Sequence, residues 1–134
     1  MKNKPTDSLS SMLKAVLKFR DERNWAKYHT PKNLAMNLVR EASEALEVCL
    51  WQTDEQILSD EERKEDIVKE LADVLHCLLL FAHTLDIDIV EAFWSKLKEL
   101  DKRYPASEFT DHSTYDFKKR QKRLKQKNGG VEDN

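Results

Sequence analysis

Apolar residues recur at helical spacing in four stretches, and polar punctuation separates them. Leu9, Met12/Leu13 and Val16/Leu17 form the first stripe, with the three-to-four spacing of an amphipathic helix. Thr6, Asp7 or Ser8 can cap it, and the pattern predicts a helix to about Lys27. Thr30-Pro31 is a cap followed by proline at the first helical position, opening a second helix to about Trp51. Residues 52–59 read as a polar connection. Asp60 caps a third helix to about Thr84, with Glu61 and Glu62 favouring its positive end. Asp86-Ile87-Asp88 starts a fourth, which Pro105 closes near Tyr104. The expected fold is all-α, a four-helix bundle type with antiparallel neighbours, or a bundle half that needs a partner. The third helix is apolar around most of its circumference from Leu71 to Ala82. One small bundle should not need that breadth, so a homo-oligomer, dimer or tetramer, is expected.

Composition narrows the picture. Both glycines, Gly129 and Gly130, lie in the C-terminal tail, so the turn glycines of a β-rich or Rossmann-type chain are missing. A length of 134 residues suits one domain, predicted over 1–110, with a polar, basic tail over 111–134. Residues 118–134 carry seven Lys and Arg against two acids, and residues 1–117 carry sixteen against twenty-three. An acidic body argues against nucleic acid as the partner and suits the collection of divalent cations. The run from Lys118 to Lys127 reads as a solvated, partly helical or disordered tail. Cys49 and Cys77 sit in apolar runs without zinc or redox spacing, as expected of buried, reduced thiols in a cytoplasmic protein. With no apolar signal core and no stretch of ~18 apolar residues, neither secretion nor membrane insertion is expected.

The candidate chemistry lies in two pairs of acids, Glu41/Glu44 and Glu70/Asp73. Residues three apart share a helix face. Glu41 lies between Leu38 and Ala45, and Glu70 between Ile67 and Val74, so these acids sit on or beside the buried stripe. Unpaired negative charge is costly there. Four facing acids repel unless protonated or neutralised by a cation. An all-oxygen, highly charged site is what Mg²⁺ accepts, usually with phosphates as co-ligands.

Written out, the site is Glu41-x-x-Glu44-x-x-Glu47, a gap, then Glu70-x-x-Asp73. Here the chain resembles the MazG-like nucleoside triphosphate pyrophosphohydrolases, whose hallmark is ExxE, a spacer, then ExxD. The resemblance runs from about Phe19 to Pro105 and is strongest to the dCTP pyrophosphatase branch. Trp25, His29, Pro31 and Asn33 match a segment ahead of the acids. Trp51 matches the tryptophan after them, and Ser95, Lys96, Arg103, Tyr104 and Pro105 match the ending. The resemblance implies hydrolysis of a (deoxy)nucleoside triphosphate, dCTP or a modified nucleotide, to monophosphate and pyrophosphate in nucleotide-pool clean-up. Glu41, Glu44, Glu70 and Asp73 would hold Mg²⁺, with Mn²⁺ as a substitute, and Glu41 or Glu44 would activate water. Trp25, His29 and Trp51 would meet the base and sugar, and Lys96 the phosphates. Three positions depart from the pattern: Arg40 where many relatives carry an acid, Cys77 for a tyrosine and Leu100 for an asparagine.

Blander roles stand beside these. Acids three apart usually face solvent, and tryptophans at helix ends usually close a core edge. Glu47 continues the acidic row as a ligand, a supporting partner or an exposed residue. His76, three after Asp73, superficially suggests a di-iron bundle, but the first acidic helix offers no histidine. His76 and His83 therefore read as packing or interface residues. The alternative to an enzyme is a non-catalytic helical oligomeric interaction module.

Overall fold

The computed structural model describes residues 8–106, and the predicted tail over 111–134 and the candidate caps Thr6 and Asp7 lie outside them. Two compact units meet in sequence between Phe93 and Trp94. Helices α1 (Leu9–Asp21), α2 (Pro31–Cys49), α3 (Asp54–Ser59) and α4 (Glu61–Thr84) belong to the first. Helix α5 (Ile89–Arg103) begins in the first and continues in the second. No strand occurs among the described residues.

Side-chain caps set most boundaries. Ser8 accepts from the Ser11 N–H at 3.2 Å, Thr30 from Asn33 at 3.3 Å and Asp60 from Arg63 at 3.0 Å. Each satisfies one amide that the first helical turn leaves unpaired. Asp88 Oδ1 accepts from Val90 and Glu91 at 3.0 and 2.9 Å, so α5 starts just after the predicted Asp86-Ile87-Asp88 signal.

Two predicted boundaries need correction. The first helix stops at Asp21 instead of Lys27, because Asn24 turns left-handed at φ 55°. Residues 26–28 then form a separate 3₁₀ turn. The predicted polar connection over 52–59 contains α3, opened by a capping box in which Thr53 and Gln56 exchange side-chain and backbone hydrogen bonds.

Packing is dominated by α2 against α4, with α1 and α3 also resting on α4. Arg63 near the start of α4 reaches Val48 near the end of α2, while Leu34 and Leu80 line one cavity. Numbering falls along one helix as it rises along the other, so the two are antiparallel. Leu34 (1% exposed), Leu79 and Leu80 form the centre of the core, with Cys77 and Ala82. Elsewhere the apolar surface stays open. Met36 and Val39 on α2 and Val68 and Leu71 on α4 are exposed, Val39 at 70%. Among the described residues, no helix is long and apolar enough to cross a membrane.

Candidate metal centre

The antiparallel pairing of α2 and α4 brings acids from both helices together. One carboxylate oxygen from each of Glu41, Glu44 and Glu70 lies within 4.8 Å of the others. Helical spacing puts Glu41 and Glu44 on one face of α2, and the register across to α4 supplies Glu70. Asp73, one turn further along α4, is exposed and lines a neighbouring cavity with Glu41. The four acids thus fall into a converged triad and a fourth beside it.

Electrostatics mark the triad as unfinished. Glu41 is buried, and its Oε1 accepts from Arg40 Nη2. Arg40 Nε also lies 3.8 Å from Glu44 Oε1. Glu70 Oε2 is buried with no hydrogen-bond partner among the described residues. Burial, and then the charges of Glu44, Asp73 and Glu41, push its carboxyl above the ordinary range. A buried oxygen without a donor, on a carboxylate that converges with two more acids, is costly as it stands. An oxygen-only set of this charge fits a hard divalent cation.

Beside the acids lies a cavity of about 400 Å³, lined among others by Trp25, His29, Asn37, Arg40, His76 and Cys77. That volume is within the range of small-molecule sites. The segment carrying Trp25 and His29 is held at both ends. The Trp25 amide donates to Arg20 O at 3.1 Å, and Asn33 Nδ2 donates to Tyr28 O at 2.9 Å. Phe19 meets Trp25 edge-on at 5.9 Å, and the Arg23 guanidinium lies 3.5 Å from the Phe19 ring centre. Burial, with Arg20 and His76 nearby, lowers the His29 pKa and favours a neutral ring. Its Nδ1 is buried without a hydrogen-bond partner among the described residues. Burial also pushes the Cys77 thiol up, with Glu41 adding to it.

The other predicted residues are placed differently. Trp51 is 94% exposed at φ 65° and does not line this cavity, so it closes no core edge. Lys96 lies on α5, its Nζ 2.9 Å from Glu99 Oε2. His76 packs edge-on against Phe19 at 6.2 Å, as a packing residue should, and also lines the cavity. Arg20 and Asn37 were not among the sequence candidates. Asn37 sits one turn before Glu41 on the same face, a usable signal; Arg20 carried none.

An all-α scaffold with an acidic centre between antiparallel helices is the class that fold and site define. The MazG-like family model matches residues 37–117, and the chain belongs to that family. It is 35% identical to human dCTP pyrophosphatase 1 over 106 residues, which are 76% of this chain and 62% of that protein. The mouse dCTP pyrophosphatase 1 is 32% identical over 105 residues, 75% of this chain and 61% of that one. The chain therefore spans about three-fifths of the length of these curated relatives. A pyrophosphatase from Archaeoglobus fulgidus, solved by crystallography, superposes with a TM-score of 0.68 at 38% identity, covering 72% of this chain and 92% of that one.

Proposed function

We propose that this chain is a Mg²⁺-dependent pyrophosphohydrolase that cleaves a (deoxy)nucleoside triphosphate to the monophosphate and pyrophosphate. The observation that carries the proposal is the convergence of the Glu41, Glu44 and Glu70 oxygens within 4.8 Å. Family membership and the names of its relatives add the reaction type.

Glu41, Glu44, Glu70 and Asp73 hold Mg²⁺, or Mn²⁺ in its place. When bound, the cation neutralises phosphate charge and polarises phosphoryl oxygens. Glu41 or Glu44 orients and deprotonates the attacking water. Glu44 is better placed to meet solvent, since its side chain is 42% exposed against 9% for Glu41. Trp25 offers an indole face to the base. His29, whose pKa is lowered by burial, lines the cavity and would meet the base or sugar. Trp51 adds a second indole, and Lys96 a point charge for phosphate.

The preferred substrate is dCTP or a modified nucleotide, and the role is removal of unwanted nucleotides from the cytoplasmic pool. Exposed Met36 and Val39 on α2 and Val68 and Leu71 on α4 support a homo-oligomer that would cover them. The domain runs over 1–110, followed by a basic tail.

The test is pyrophosphate release from a panel of common and modified triphosphates, with and without Mg²⁺. Release that requires both triphosphate and metal is expected. No release from any of them would leave the helical interaction module as the better description.

A further inference from the structure

Arg40 stands at the edge of the acidic face, where helical geometry gives it access to two acids of its own helix. Its Nη2 donates to Glu41 Oε1, and its Nε lies 3.8 Å from Glu44 Oε1. The partners differ sharply in burial, with the Arg40 side chain 62% exposed and that of Glu41 9% exposed. The guanidinium can therefore return to water at small cost, whereas Glu41 cannot. On the opposite helix Glu70 keeps a buried oxygen without a partner among the described residues, so among these Arg40 relieves the α2 side of the cluster alone. A divalent cation among the three carboxylates would serve both sides and carry twice the charge.

We infer that Arg40 is a resident counter-ion, holding Glu41 and Glu44 while no metal is bound and yielding them to the divalent cation, so that it sets the metal affinity of the centre. The inference rests on the metal-centre reading above. It makes Arg40 a positioning residue: it lines the cavity beside His29 and Asn37, but it acts on the metal through the acids. Two consequences follow with opposite signs. Removing the guanidinium weakens the metal-free protein, because buried Glu41 loses its donor. It strengthens metal binding, because the cation no longer competes with a positive charge. Coulomb repulsion between a divalent cation and a guanidinium about 6 Å away in a water-like dielectric corresponds to roughly tenfold in affinity.

The test is calorimetric titration of Mn²⁺ into wild-type protein, Arg40→Ala, Arg40→Lys and Glu70→Gln without nucleotide, with melting curves in EDTA and in saturating Mn²⁺. Arg40→Ala should bind Mn²⁺ about tenfold more tightly than wild type, melt lower in EDTA and match wild type when loaded. Arg40→Lys, which keeps the charge but not the planar fork, should stay close to wild type. Equal or weaker Mn²⁺ binding by Arg40→Ala, with Glu70→Gln binding poorly, would overturn the role of Arg40 and leave the metal centre standing. Absence of Mn²⁺ binding by both wild type and Arg40→Ala would overturn the metal centre and this inference together.

Discussion

Arg63 donates from Nη1 to the carbonyl of Val48 at 3.0 Å, joining the first turn of α4 to the last turn of α2. The last carbonyls of a helix have no partner within it, so this bond satisfies an otherwise orphaned acceptor. It also ties α2 to α4 at one end of the antiparallel pair whose register brings Glu41 and Glu44 to Glu70. A charged hydrogen bond of this kind contributes about 1.5 kcal/mol. Arg63→Met should lower Tm by roughly 5 °C and weaken Mg²⁺ binding in calorimetry, although residue 63 touches no metal. Unchanged Mg²⁺ affinity would show that the register has another source.

Glu70 carries a sign-specific prediction. Its carboxyl is held above the ordinary range by burial and by the acids around it. The charged form is thus disfavoured in the metal-free fold. The stability it contributes is full below the unfolded-state pKa and is lost as pH rises through the folded value. Melting in EDTA should therefore show Glu70→Gln at least as stable as wild type at neutral pH. The Mg²⁺-induced rise in Tm should shrink in that variant. In wild-type protein the same rise should fade on acidification, as protons compete with metal for Glu70. A Glu70→Gln variant that melts lower in EDTA yet keeps the full Mg²⁺ shift would contradict its place among the ligands.

Helix starts were largely legible from side chains that cap locally: Ser8, Thr30-Pro31 and Asp60 act within three residues of themselves. The stop at Asp21 was not, because neither glycine nor proline marks it and Asn24 breaks the helix by adopting φ 55°. Helix α3 was hidden by its polarity, although the Thr53/Gln56 capping box is a sequence signal that could have been used. For the site, i,i+3 spacing made both acidic pairs readable. Which oxygens converge depends on the α2–α4 register, and so does the difference between Glu70 and Asp73. Arg40 stood out in the sequence only as a departure from the acid that many relatives carry, and its contacts with Glu41 and Glu44 could not be read from that.

Trp51 occupies a left-handed conformation that is unfavourable for a bulky side chain, and it buries almost nothing in return. It stands directly after the Leu50 cap of α2, where a left-handed residue commonly ends a helix but is usually glycine or asparagine. Trp51→Gly should relieve about 1 kcal/mol of backbone strain and raise Tm. The same variant should raise KM by about tenfold if the indole stacks on the base. A lower Tm with unchanged KM would make Trp51 structural.

Turnover should separate ligands from supporting residues. Glu44→Gln and Asp73→Asn should each cut kcat by more than about 100-fold at saturating Mg²⁺ while far-UV circular dichroism stays helical. Near-normal kcat in Asp73→Asn would restrict the centre to the three converged acids. Near-normal kcat in Glu44→Gln would leave Glu41 to activate water.

Anomalous diffraction from crystals soaked in Mn²⁺ tests most directly whether the acids of α2 and α4 share a cation. A peak bonded to oxygens of Glu41, Glu44 and Glu70 is the expected result. Mn²⁺ bound only elsewhere, or no site at all while the three carboxylates remain accessible, would contradict it.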